Sequence, residues 1–135
     1  MNDSNIIFKN VLMIFFPIIF LYAFYVQING ENTPGGGFQA GAIMAGLIIL
    51  CDMLSKKNYL LGNNIVNTLE NTAKIGCLIY FLAGLVPIFF GYEFLNYDVF
   101  FENDALAQRT GIFIIELGVF ITVTSSLSIF YFKFK

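Results

Sequence analysis

Residues 31–41 read ENTPGGGFQAG. Three consecutive glycines follow a proline and run at once into an apolar segment. A phosphate-binding loop needs Gly-Lys-Ser/Thr after its glycines, and here Phe38 and Gln39 follow. A dinucleotide-binding fingerprint needs a preceding strand within a βαβ unit, and neither is present. A flexible linker would be polar on both flanks. This one leads instead into Gly41-Ala42-Ile43-Met44-Ala45-Gly46. Gly37 and Gly41, Gly41 and Ala45, and Ala42 and Gly46 each stand four residues apart. Small residues at that interval make a flat helical groove that another helix backbone can approach closely. Pro34 presets a turn, and Gly35, Gly36 and Gly37 tolerate positive φ. The stretch reads as a tight Pro-Gly-Gly-Gly hairpin between two membrane helices. Its packing residues are Pro34, Gly35, Gly36, Gly37, Phe38, Gly41 and Gly46.

The composition agrees with that reading. Of 135 residues, 58% are hydrophobic and 12% charged, against about 45–50% and about 25% in soluble domains. Mean hydropathy is +0.76. So little charge cannot cover a soluble surface, and the chain reads as an all-α integral membrane protein of one domain. A net charge of -2 and a pI near 4.9 argue against a nucleic-acid partner. The two cysteines, Cys51 and Cys77, form no CxxC pair, and the chain has no histidine. No metal site, cofactor or His-based catalysis is expected. The first apolar run is long and lacks a small-residue cleavage site, unlike a secretory signal.

Four apolar segments stand out, at about residues 11–28, 38–54, 73–90 and 111–132. A spanning helix needs about 20 mostly apolar residues, so the second is at the short limit. A hairpin turn sunk into the outer leaflet accounts for its length. Such backbone survives at that depth only when covered by protein or lining a cavity, which implies a multi-subunit complex. An even number of spans puts both termini on one side. Lys9, Lys56, Lys57, Lys74, Lys133 and Lys135 fall on that side and only Arg109 on the other, so both termini are expected in the cytoplasm. The outer loop, residues 91–110, carries Tyr92, Phe94, Tyr97, Phe100 and Phe101. They suit an aromatic belt at the headgroup level, with docking against a neighbouring subunit as the alternative. The inner connection, residues 55–72, reads as a loop or short surface helix. Pro17 and Pro87 are expected to kink their helices.

The run Asn29-Gly30-Glu31-Asn32-Thr33-Pro34-Gly35-Gly36-Gly37-Phe38-Gln39-Ala40-Gly41 resembles the signature of the B subunit of multi-subunit Na⁺/H⁺ antiporters of the Mrp (Mnh) type. That signature has the core Gly-His-x-x-Pro-Gly-Gly-Gly-Phe-x-x-Gly. The stretch GIFIIELGVFITV, residues 111–123, is similar to the family's acidic-Leu/Ile-Gly-Val stretch in the last helix. Glu31 stands where the family often has His. The resemblance implies a small subunit of a bacterial inner-membrane complex that exchanges cytoplasmic Na⁺ for external H⁺. It implies several partner subunits, the largest similar to proton-pumping subunits of respiratory complex I. Related modules occur in membrane-bound hydrogenases. A structural subunit of a hydrogenase or respiratory complex, moving no ion itself, is therefore the alternative, and a self-sufficient homo-oligomeric channel a third.

Glu116, within the fourth segment, is the ion-path candidate. A carboxylate inside a span is costly unless paired or protonated, so such residues are functional candidates by default. A protonated or hydrogen-bonded Glu116 that helps subunits pack is the other reading. Three further residues are secondary candidates. Asp52 is expected to pair with Lys56, four residues on, rather than serve ion entry. Lys74 is expected to open the third span and snorkel to the inner headgroups, touching Asp52 if their helices adjoin. Arg109 is expected to pair with Glu102 or Asp104, or with an acidic partner subunit. Thr122, Thr124, Ser125, Ser126 and Ser128 form a polar stripe whose hydroxyls are expected to bond back to their own helix.

Overall fold

The computed structural model describes residues 3–30, 34–54, 64–99 and 104–135. It holds four α-helices: α1, Asp3–Asn29; α2, Gly37–Leu54; α3, Ile65–Phe89; and α4, Asp104–Phe134, with a short 3₁₀ turn at Tyr97–Val99 before α4. Strands are absent among the described residues. Parts of α1, α3 and α4 (Asn10–Asn29, Ile65–Phe89 and Ala105–Phe134) are long and apolar enough to cross a bilayer, while the apolar part of α2, Gly37–Met53, is shorter.

Three of these helices outrun the apolar segments that mark them. α1 starts at Asp3, α3 at Ile65 rather than near residue 73, and α4 at Asp104 rather than Gly111. Hydropathy marks only the lipid-soluble part of a helix. Asn67, Thr68, Glu70 and Asn71 are polar, but nothing among them breaks a helix, so the backbone ladder continues. Lys74 consequently stands in the third turn of α3 rather than opening it. The inner connection shrinks to residues 55–64, of which 55–63 lie outside the described residues.

The helices are apolar on all sides, so size rather than polarity decides what faces inward. Ala23, Ala40, Ala45, Ala83 and Ala107 are buried, whereas Phe15, Leu21, Leu78, Phe89 and Phe130 stand exposed. Small residues inside and large ones outside suit a lipid solvent, where close backbone contact takes over from the hydrophobic effect. α4 lies at the centre, packed along α3 and α2, while α1 rests mainly on α2. The contacts fix the directions. Phe24 of α1 and Gly30 just past its end meet Phe120 and Glu116 of α4, so these helices run antiparallel. Gly37, Gly41 and Asp52 of α2 meet Glu116, Phe120 and Tyr131, so α2 runs parallel to α4. Gly76 and Thr72 of α3 meet Gly118 and Ser125, so α3 runs antiparallel to it.

Two glycine contacts set the closest approaches. A Cβ added to Gly76 would overlap Thr122 Oγ1 and stand 2.8 Å from the Gly118 carbonyl oxygen. One added to Gly41 would stand 2.9 Å from the Phe120 carbonyl oxygen. The groove of α2 is thus filled by α4, while α1 also packs on α2. The four-residue spacing creates a flat face and carries no information about which helix will use it. Gly46 has nothing within 4 Å and Phe38 is exposed, so neither packs within the chain. Tyr97 and Phe94 also make contacts within the chain. Tyr97 is buried and its ring fills the space a side chain on Gly111 would take, and Phe94 does the same at Gly84. Burial, and then Tyr80, raises the Tyr97 phenol above its ordinary pKa. Phe100 and Phe101 lie outside the described residues.

Candidate functional site

The Glu116 side chain meets the glycine-rich turn. Helix α2 begins at Gly37, and Gly36 caps it: the Ala40 N–H donates to the Gly36 carbonyl at 3.0 Å. Gly36 has φ +145°, a conformation other residues rarely adopt. A Cβ on Gly36 would stand 2.8 Å from Glu116 Oε1, and one on Gly30 would stand 2.9 Å from Oε2 and 2.7 Å from the Gly36 Cα. A Cβ on Gly37 would overlap the Glu116 main-chain carbonyl oxygen. Three glycines from two helix ends thus lie against one glutamate, Gly30 and Gly36 at its carboxyl group and Gly37 at its main chain.

The electrostatics favour charge there. The first N–H groups of a helix have no intrahelical acceptor, and the macrodipole makes that end positive. Glu116 therefore sits against the α2 N-terminus, an arrangement that stabilises a carboxylate. The last carbonyls of α1 come to the same place with partial negative charge. One of them, on Tyr25, accepts a bond from the Asn29 side-chain amide at 3.0 Å. Glu116 lies twelve residues after Asp104, or about 18 Å along α4 at 1.5 Å per residue. That is farther from the helix start than the apolar segment alone implied, because α4 starts earlier.

The other candidates are placed apart from this site. Asp52, 8% exposed, accepts hydrogen bonds from Lys135 Nζ at 2.6 Å and the Tyr131 hydroxyl at 3.1 Å. It closes the opposite end of the bundle. Its expected partner Lys56 lies outside the described residues. The bond to Asp52 raises the Lys135 ammonium above its ordinary pKa. A second pair at that end joins Lys133 to Glu70 at 2.8 Å. Together the C-terminal lysines tie α4 to both α2 and α3. Lys74 Nζ donates to Asn71 Oδ1 at 3.4 Å and does not join Asp52, because α4 stands between α2 and α3. Arg109 is exposed near the start of α4. Of its expected partners, Glu102 and the side chain of Asp104 lie outside the described residues.

The hydroxyl stripe divides. Thr122, Thr124 and Ser128 donate to the carbonyls of Gly118, Phe120 and Thr124 at 2.7–2.8 Å, within their own helix as the residue types predict. Ser125 instead bonds Thr72 across the α3–α4 contact at 2.8 Å. Cys51 and Cys77 are free thiols.

Two residues near the end of α1 escaped the sequence reading, the buried Gln27 and Gly30, which lies against Glu116. Gln27 is the only amide side chain in the apolar run 11–28, and that isolation was the available signal. It is 4% exposed. Gly30 belonged to the quoted motif but had no role until its contact with Glu116 was seen.

Comparison with known proteins bears on this site as a whole. Residues 7–129 match the family model described as a domain related to the MnhB subunit of Na⁺/H⁺ antiporters. A Staphylococcus epidermidis protein named as an antiporter subunit, mnhB2, is 32% identical over 91% of this chain and 89% of its own length. Proteins of the same name from Staphylococcus haemolyticus and Staphylococcus aureus strain Newman are each 29% identical. They cover 91% and 95% of this chain, and 89% and 97% of their own lengths.

Proposed function

This chain belongs to the MnhB family, and from that premise we propose that it is a membrane subunit of a multi-subunit antiporter exchanging Na⁺ for H⁺. The family match over residues 7–129 is the observation that carries the assignment. The role is that of a transporter subunit rather than an enzyme. The hydrogenase-type alternative gains no support from these likenesses.

In this reading all four helices enter the bilayer of the bacterial inner membrane, with both termini in the cytoplasm. The basic residues support that orientation. So does the position of the α1–α2 connection, which meets α4 about 18 Å from its first residue and would lie within the outer leaflet. Eighteen residues of α2 reach about 27 Å, a little short of a hydrocarbon core of about 30 Å. Backbone at that depth calls for cover from neighbouring subunits, including large ones similar to those of complex I. Phe38, the open space at Gly46 and the aromatic flank of α1 remain for such neighbours. The subunit holds its larger partners in place, and Glu116 takes part in the ion path. Supporting that role, the carboxyl group is set, among the described residues, between two helix ends within the span.

The test is Glu116→Gln in everted vesicles. Na⁺-dependent proton exchange should fall by about tenfold or more, the scale on which a lost proton carrier is felt, while the complex still assembles. Undiminished exchange would reduce Glu116 to a packing residue.

A further inference from the structure

Gln27 presents an unsolved problem of hydrogen bonding. It is 4% exposed, and neither its Oε1 nor its Nε2 has a hydrogen-bond partner in the chain. Folded proteins satisfy buried amides, and where the chain does not, ordered water does.

Its direction follows from its helix. Successive residues turn by about 100° at 3.6 residues per turn, so Gln27 projects about 60° from Phe24 on one side and about 60° from Gly30 on the other. Both of those neighbours touch α4. Phe24 packs on Phe120 with ring centroids 6.0 Å apart, and Gly30 lies against the Glu116 carboxyl. Gln27 therefore aims at α4 between Glu116 and Phe120, which occupy successive turns. It stands about 4.5 Å along α1 from Gly30.

The chemistry of the two unpaired atoms selects the guest. Oε1 accepts and Nε2 donates. A metal cation would satisfy only the oxygen, and a carboxylate only the nitrogen. Water both donates and accepts, so it satisfies both. The Glu116 carboxyl supplies the further partner that a buried water needs.

We propose that Gln27 holds one or two water molecules against the Glu116 carboxyl, which makes Glu116 a proton-exchanging group inside the membrane span. The ligand is water and the ion that moves is a proton. Protonated Glu116 gives its proton to the adjacent water, forming hydronium. The remaining carboxylate is held by the positive end of α2. The reverse transfer restores the acid, and the amide of Gln27 is unchanged throughout. Gly30, just past α1, and Gly36, just before α2, bring no titratable side chain of their own to the carboxyl. The part of this site in transport rests on the ion-path reading of Glu116. The water site itself does not.

The experiment follows Glu116 by infrared spectroscopy in the assembled complex, at acid pH, with its carboxyl band identified by loss in Glu116→Gln. On transfer to D₂O the band shifts as the proton exchanges. Gln27→Leu removes both hydrogen-bonding functions and should slow that exchange by about tenfold or more, whereas Gln27→Ser, which still donates and accepts, should stay within about threefold of the parent. Equal rates for Gln27→Leu and the parent overturn the proposal. Should Gln27→Leu not assemble, ordered water beside Gln27 in a high-resolution map of the parent complex upholds it, and a dry amide overturns it. Normal transport by Glu116→Gln would sink the ion path alone, and slowed exchange in Gln27→Leu would still establish the water.

Discussion

The same substitution at two positions of α2 should have opposite effects. At Gly37 an added methyl would overlap the Glu116 carbonyl oxygen and stand 2.9 Å from its carbon and 3.1 Å from the Phe120 nitrogen. All three are backbone atoms of α4, which cannot rotate away as a side chain would. Relief requires α2 to retreat from α4 by about 1 Å, and a gap of that size forfeits about a quarter to a half of each affected van der Waals contact. The Thr124 hydroxyl, 3.3 Å from the Gly41 carbonyl, would pass beyond bonding distance. Gly37→Ala should therefore cost about 1–3 kcal/mol, the usual range for overpacking. At Gly46 nothing lies within 4 Å, and Ala is the better helix former by about 1 kcal/mol. Gly46→Ala should be neutral or stabilising by up to that amount. Equilibrium unfolding of the purified subunit in micelles, followed by circular dichroism across a denaturing-detergent titration, measures both. Equal stabilities for Gly37→Ala and the parent would refute the argument that bare backbone contact joins α2 to α4. A loss at Gly46 equal to that at Gly37 would refute it too, since the effect would then be general to the helix.

Gly76→Ala meets Gly118 and Thr122 backbone in the same way and should destabilise the α3–α4 contact by about 1–3 kcal/mol. The same unfolding titration reads it, with a parent-like curve as the contrary result. At the other end of the bundle, the bond to Asp52 lifts Lys135 above its ordinary value of 10.5. A group raised in the folded state stabilises fully below its unfolded value and loses that contribution as pH rises through the folded one. The Lys135 tie should thus be intact at neutral pH and weaken only above about pH 10.5. Lys135→Gln should flatten the alkaline part of a melting-temperature profile relative to the parent, and superimposable profiles would count against the tie.

Membrane character, helical class and the number of helices were legible in residues 1–135 because they depend on local composition. A run of apolar residues about twenty long has few other options, and Pro-Gly-Gly-Gly punctuates whichever chain contains it. Glu116 could be singled out for the same reason: a carboxylate among apolar neighbours is conspicuous without any partner. Its surroundings could not be read. Helices that are apolar all round have no polar face to mark what points outward, so periodicity does not say which flank packs. The small-residue interval in α2 showed that some helix would come close. Only the fold assigned that place to α4, brought Gly30 and Gly36 to Glu116, and turned Gln27 toward the same spot. Lys135 reaches Asp52, a contact with no local signal, because the parallel course of α2 and α4 brings their ends together. Such contacts are chosen by steric fit between backbones far apart in the chain. That fit exists only once all four helices are packed.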